Sequence, residues 1–179
     1  TKNADNAASG STDANGSGNE LVIITSLGDV PLVGGYLDGF KLTAGYSEDE
    51  VSTVANTTDR HEATVALTGA FGNFKFGYQK ELVDEGQTAA LTDADFYKIE
   101  TIGLAYAIND ALSISYNTTE QSQHNIDADS SFTQDTKAIS IGYTVGGMTI
   151  GFQDASTDNA NMVKDAQDDT RTLGISVAF

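Results

Sequence analysis

The chain has 179 residues, of which 39% are hydrophobic, and its 26 Asp and Glu against 9 Lys and Arg give a formal net charge of −17. A surface this acidic repels phosphates, so the charge argues against nucleic-acid binding and predicts no nucleic-acid partner. The chain has no cysteine, which excludes disulfides, thiolate metal sites and a thiol nucleophile. Its apolar runs are far shorter than the roughly 18 residues of a membrane-spanning helix, so helical spans are not expected.

Residues 1–20 consist almost entirely of small and polar residues, mainly Gly, Ser, Asn, Asp, Thr and Ala. Such a segment buries too little apolar area to offset its ordering entropy, and we interpret it as a loop or tail. The chain opens at Thr1 with no basic region followed by an apolar one, so either a signal peptide has been removed or the chain begins inside a longer one. Residues 21–179 carry the predicted sheet.

From Phe40 onward the hydrophobic pattern has a period of two, which predicts half-buried β-strands. Eight stretches show it clearly: residues 40–47, 63–67, 74–78, 102–108, 112–116, 139–145, 148–152 and 173–179. A ninth strand near residues 21–27 is predicted less clearly, because its apolar residues are continuous and do not alternate. The only proline, Pro31, lies outside every predicted strand, as an unbroken sheet requires.

The connections between these strands alternate between short and long. The predicted short ones cover residues 31–39, 70–73, 109–111 and 146–147, and the long ones cover 49–60, 80–97, 118–136 and 154–170. In an up-and-down arrangement, the long connections then lie at one end and the short turns at the other.

Strand cores are expected to be nearly free of acids, with Glu62 the exception and Lys41, Lys75 and Arg171 as the only bases. With aromatic residues near both strand ends, this pattern is typical of a transmembrane β-barrel. Alternation alone also fits a soluble sandwich.

The last predicted strand, residues 170–179, resembles the C-terminal signature of Gram-negative outer-membrane β-barrels. That signature ends in Phe with apolar residues at every second position before it, which here are Phe179, Val177, Ile175 and Leu173. The resemblance implies that these four residues form the signal read by the barrel-assembly machinery, although many family members have an aromatic residue where this chain has Val177. The hairpins at 65–81 and 102–117 are similar to those of alphaproteobacterial general porins.

The porin resemblance implies an outer-membrane location with extracellular long loops and a periplasmic C-terminus. It also implies a 16-stranded barrel and a homotrimer, with passive diffusion of small hydrophilic solutes and ions through a water-filled channel. Eight or nine strands would then be the C-terminal part of a barrel whose N-terminal part is its partner. If residues 21–27 form no strand, an intact eight-stranded barrel with a structural or adhesive role is the alternative. A secreted soluble β-sandwich or lipocalin-like binder is a third.

The sequence contains no recognisable catalytic or metal-binding motif. His61 and Glu62 lack the second histidine that a metalloprotease helix needs at position 65. Asp127, Asp129 and Asp135 lack the central Gly and terminal Glu of a calcium loop. No nucleophile elbow occurs either. We therefore expect no enzyme activity and no cofactor, apart from loosely bound divalent cations that bridge the acidic outer loops to lipopolysaccharide.

Polar residues on the partner face of the strands are the pore-lining candidates, because a water-filled pore selects by the charges on its wall. These candidates are Lys41, Lys75, Glu62, Gln79 and Gln153. The porin resemblance implies that Lys41 and Lys75 belong to a basic wall facing an acidic loop, while simple hydration of both lysines stays open as an alternative. If the chain is complete, residues 82–95, with Asp84, Glu85, Asp93 and Asp95, would be the constriction loop. Arg171 is expected at the outer rim, and the acidic loops predict a mild cation preference.

Overall fold

The computed structural model describes residues 18–29, 31, 37–49, 59–86, 96–125 and 130–177. They form nine strands: β1 Gly18–Ser26, β2 Phe40–Asp49, β3 Arg60–Phe71, β4 Phe74–Asp84, β5 Phe96–Ala107, β6 Leu112–Asn125, β7 Ser130–Val145, β8 Met148–Asp158 and β9 Gln167–Val177. All nine belong to one antiparallel sheet in which each strand pairs with the next in sequence. The predicted all-β, up-and-down architecture is confirmed, and so is the ninth strand at β1.

Two short 3-10 turns, Leu27–Asp29 and Ala160–Met162, are the only helical elements in the described part of the chain. Within those residues no helix is long and apolar enough to cross a membrane. Pro31 lies between the first of these turns and β2, outside the strands as predicted.

Three tight turns define what we call the lower end of the sheet, and the opposite end is the upper end. The β7–β8 turn consists of Gly146 and Gly147, whose φ angles of 55° and 80° are the left-handed values that a two-residue hairpin needs. In the β5–β6 turn, the Oδ1 atom of Asn109 accepts hydrogen bonds of 2.9 Å from the backbone N–H groups of Ala111 and Leu112. The β3–β4 turn is Gly72–Asn73. Gly and Asn favour tight turns, which explains why all three turns were predictable from the sequence.

The strands reach farther toward the upper end than predicted. Residues 118–136, predicted as a long connection, are mostly strand, because β6 runs to Asn125 and β7 begins at Ser130. Similarly, β4 extends to Asp84, so the first part of the predicted loop 82–95 is strand, and residues 87–95 lie outside the described residues. Beyond the apolar alternation the backbone ladder continues with Thr, Ser and Gln on both faces, and hydropathy does not detect such a strand.

The prediction of nearly acid-free strands is wrong for the same reason. Acids within the strands include Glu20, Glu48, Asp49, Glu62, Glu81, Asp84, Glu100, Glu120, Asp135, Asp154, Asp158, Asp168 and Asp169. Residues 18–20, predicted as the end of a loop or tail, belong to β1, and residues 1–17 lie outside the described part of the chain.

The sheet has two free edges and little core of its own. In the described residues β1 pairs only with β2, and β9 pairs only with β8. Val83, Ala138 and Ala160 are the only buried hydrophobic residues in this part of the protein. Since β1 is paired along its whole length, the intact eight-stranded barrel, which required residues 21–27 to lie outside the sheet, does not fit.

Candidate functional site

Residues that pair across an antiparallel ladder lie on the same face of the sheet, so the register assigns every strand residue to one of two faces. On one face Ile114 pairs with Ile141, which pairs with Phe152, and Phe152 pairs with Leu173. We call this face, which continues through every strand, the apolar face. The opposite face, called the polar face, carries mainly Gly, Ala, Ser, Thr, Asn and Gln. The sequence alternation predicted both faces.

The apolar residues form a band whose upper edge crosses the strands diagonally. On β2 the last apolar residue toward the upper end is Tyr46, and its register row passes through Ala63 to Leu82 on β4. On β9 the last is Leu173, whose row meets β4 at Phe74. From β2 to β9, across seven pairs of neighbouring strands, the upper edge of the band therefore moves by eight residues toward the lower end. With a rise of about 3.4 Å per residue and a spacing of about 4.8 Å between neighbouring strands, this drop means that the strands are tilted by about 40° from the direction perpendicular to the edge of the band.

Aromatic pairs lie at both edges of this band. Near the lower edge, the rings of Phe40 and Phe76 make an edge contact at 5.3 Å, and Phe74 lies 4.5 Å from Tyr106. At the upper edge the hydroxyl of Tyr46 is 2.9 Å from Nδ1 of His61. Above the band, on the same face of β5 and β6, the rings of Phe96 and His124 stack at 4.6 Å. The two histidines are thus packed beside aromatic rings on the apolar face, where His61 also pairs in register with Glu48 and Asp84.

Charged residues follow directly above the apolar band. Arg171, predicted at the outer rim, lies on the apolar face immediately above Leu173, and its Nε donates a hydrogen bond of 3.1 Å to Asp154 on the neighbouring strand. Lys98 and Glu100 form a looser pair at 3.8 Å on the same face. The transition from apolar to charged residues is therefore abrupt on β8 and β9.

The Arg171→Gln substitution is expected to lower the free energy of unfolding by less than about 1 kcal/mol, since ion pairs between exposed side chains contribute little. The side chains of Arg171 and Asp154 are 77% and 46% exposed. Reversible urea unfolding, followed by circular dichroism, measures the change. The double variant Arg171→Gln/Asp154→Asn is the control, and a loss well above 1 kcal/mol in the single variant alone would contradict a solvent-screened pair.

All five predicted pore-lining residues lie on the polar face, but at different heights. Lys41 and Lys75 are the second residues of β2 and β4 and lie at the lower end. Glu62 lies near the upper end of β3, while Gln79 and Gln153 occupy the middle of β4 and β8. The structure therefore brings them to a common surface without gathering them into one cluster.

The middle of the polar face is open. A methyl group built on Gly103, Gly151 or Gly174 would meet no atom within 4 Å, apart from immediate chain neighbours. Gly151 and Gly174 pair directly across β8 and β9. No described element packs over this part of the sheet, so it is accessible to water.

The polar face of β5 to β8 consists of neutral side chains. Threonine hydroxyls hydrogen-bond across neighbouring strands at 3.0 Å in the pairs Thr101–Thr119, Thr136–Thr157 and Thr144–Thr149. No formally charged residue lies on this face in the described parts of β5 to β8. The sequence alternation predicted small or polar residues on this face, and the register places the charged residues of β5 to β8 on the apolar face.

Charges on the polar face are concentrated on β1 to β4. At the upper end, the guanidinium of Arg60 forms a close ion pair with the carboxylate of Glu62. The amide nitrogen of Gln79 donates a hydrogen bond of 3.2 Å to Glu81. Arg60 pairs in register with Asp49, so its charge is surrounded by acids.

Strand β1 departs from the pattern because it is apolar on both faces. Its register with β2 places Leu21 and Ile23 on the apolar face, and it places Val22 and Ile24 on the polar face. Val22 and Ile24 are 49% and 58% exposed at the edge of the sheet. This explains why the sequence of the ninth strand did not alternate.

Three of the four residues of the predicted assembly signal lie on β9. Leu173, Ile175 and Val177 are all on the apolar face and at least half exposed. Phe179 lies outside the described residues.

No group of three or more His, Cys, Asp or Glu side chains that could hold a metal ion occurs in the described part of the chain. Asp93, Asp95, Asp127 and Asp129 lie outside it. No protein-family model matches the chain, and comparisons with curated proteins and with solved structures return no match.

Proposed function

We propose that this chain forms part of the wall of a bacterial outer-membrane porin, a water-filled barrel that passes small hydrophilic solutes and ions by passive diffusion. The observation that carries the proposal is the diagonal apolar band. Strands of transmembrane barrels are tilted by about 35–45° and face lipid with an apolar band flanked by aromatic residues. The tilt of about 40° comes from the register alone, and the aromatic pairs at both edges of the band agree with it.

The polar face supports the assignment of the opposite side to an aqueous lumen. Its surface is small, hydroxyl-rich and open. A soluble sandwich would need a second layer over the apolar face, because exposed apolar area of this extent is costly in water. Residues such as Leu104, Ile139 and Leu173 are about half exposed or more, and no described element covers them.

Strand direction supports a larger barrel than these nine strands. In an up-and-down sheet of nine strands, β1 and β9 point the same way. They cannot pair with each other in an all-antiparallel barrel, which has an even number of strands. Closure therefore requires an odd number of further strands, and seven of them complete the 16-stranded porin barrel. In this proposal those strands come from the N-terminal part of the same barrel, and three barrels form the trimer.

The proposed orientation has the lower end in the periplasm and the upper end outside the cell. The acidic residues of the upper end then face lipopolysaccharide, to which divalent cations would bridge them. Phe179 and the apolar residues of β9 would be read by the barrel-assembly machinery during insertion.

Planar-bilayer recording on the full-length protein, purified in detergent, tests the proposal. The expected result is stepwise, ohmic increases in current at high salt, and vesicles containing the protein should admit small neutral sugars while retaining large dextrans. A protein that stays monomeric without detergent and gives no conductance would rule the proposal out.

A further inference from the structure

The formal charges of the polar face are separated along the strand direction. Lys41 and Lys75 lie at the lower end, each one residue from the start of its strand. The acids of this face on β1 to β4 all lie toward the upper end, namely Glu20, Asp49, Glu62 and Glu81. The separation is therefore axial, and it differs from a basic wall facing an acidic loop at one height.

Among the strand residues of the polar face, the two ends carry opposite net charge, while Asp29, Asp38 and Asp110 lie at the lower end outside the strands. Among the described strand residues, the upper end has one cation on this face, Arg60, and it is ion-paired with Glu62. Lys41 and Lys75 are exposed and form no ion pair with any described residue. The neutral polar faces of β5 to β8 add no charge that would cancel either end.

We infer that Lys41 and Lys75 are selectivity-determining residues that make the ion current depend on the sign of the applied voltage. The inference rests on the proposed pore. Acids at the upper end concentrate cations and lysines at the lower end concentrate anions, as charged pore walls do. A voltage that is positive on the upper side drives each ion inward from the end where it is concentrated, so the pore fills with carriers. The opposite voltage depletes the pore, and the current is smaller.

The test is single-channel recording on the full-length protein at equal positive and negative voltages. In 0.1 M KCl the larger current is expected when the upper side is positive. In 1 M KCl the ratio should fall to about one, because the screening length shrinks from about 10 Å to about 3 Å. Orientation is read with a membrane-impermeant thiol reagent on a Val163→Cys variant, which adds a thiol to the β8–β9 connection, with the wild-type protein as the reference for any other thiol.

Lys41→Gln/Lys75→Gln is expected to reduce the dependence of the current on voltage sign, because only the acids of the upper end then remain, and to increase the preference for K⁺ over Cl⁻. The matched control is Lys80→Gln/Lys137→Gln, which removes the same charge from the apolar face and should leave the current ratio unchanged. Equal wild-type currents at both signs in 0.1 M KCl would overturn the inference and leave the pore intact. Equal loss in both double variants would also overturn it, while the absence of any conductance would overturn the proposed function.

Discussion

In the proposed barrel, Ile141→Arg is expected to destabilise the protein by about 2–4 kcal/mol, the cost of an arginine on the lipid face near the bilayer midplane. Ile141 lies in the middle of the apolar band and pairs in register with Ile114 and Phe152. Neither neighbour carries a charge that could pair with the arginine. Urea titration of the protein refolded in lipid vesicles, read by the intensity of tyrosine fluorescence or by gel mobility, measures the loss.

The neighbouring residue supplies the control for this prediction. Ser140 belongs to the same strand but lies on the polar face, where it pairs with Ser115 and Gln153. Ser140→Arg places the same side chain toward the proposed lumen, so folding should change by less than about 1 kcal/mol. The ion selectivity of this variant should shift toward anions. Equal destabilisation by the two variants would contradict the assignment of the two faces to lipid and water.

Gly39→Asn is expected to lower the free energy of unfolding by about 2–3 kcal/mol, through overpacking against the backbone. Gly39 precedes β2 with a φ of 84°, and a Cβ there would lie 2.9 Å from the carbonyl oxygen of Ala70. Its own carbonyl accepts a hydrogen bond of 3.1 Å from the N–H of Ala70, which holds the two backbones together. Relief of the contact would therefore require the start of β2 to move away from β3.

Gly72→Asn separates this steric effect from the cost of a left-handed backbone. Gly72 also has a positive φ, 56°, but a Cβ there meets nothing within 4 Å. Asparagine tolerates this conformation well, so the expected loss is only a few tenths of a kcal/mol. Reversible unfolding of both variants gives the comparison, and similar losses at the two positions would show that the contact with Ala70 is not the cause.

Local pattern carried most of the fold prediction. A period of two identifies a strand and its two faces from adjacent residues, which is why β2 to β9 and the apolar positions of Leu173, Ile175 and Val177 were predictable. The turn-forming residues Gly146 and Asn109 likewise predicted the short turns of the lower end. The upper parts of β6 and β7 were missed because polar side chains on both faces remove the alternation, while hydrogen bonds between strands still hold the backbone extended.

Which residues lie at the same height on the sheet could not be predicted from the sequence. The tilt of the apolar band depends on Tyr46 aligning with Leu82 and on Leu173 aligning with Phe74. Short turns fix the register within a hairpin, but across the long connections the alternation fixes only the face of each residue. A shift by two residues keeps every face unchanged, so the sequence pattern does not determine these alignments. The axial separation of Lys41 and Lys75 from the acids of β1 to β4 has the same origin. Sequence alone determined the two faces, and the tertiary register decided where on those faces the charges and the band edges lie.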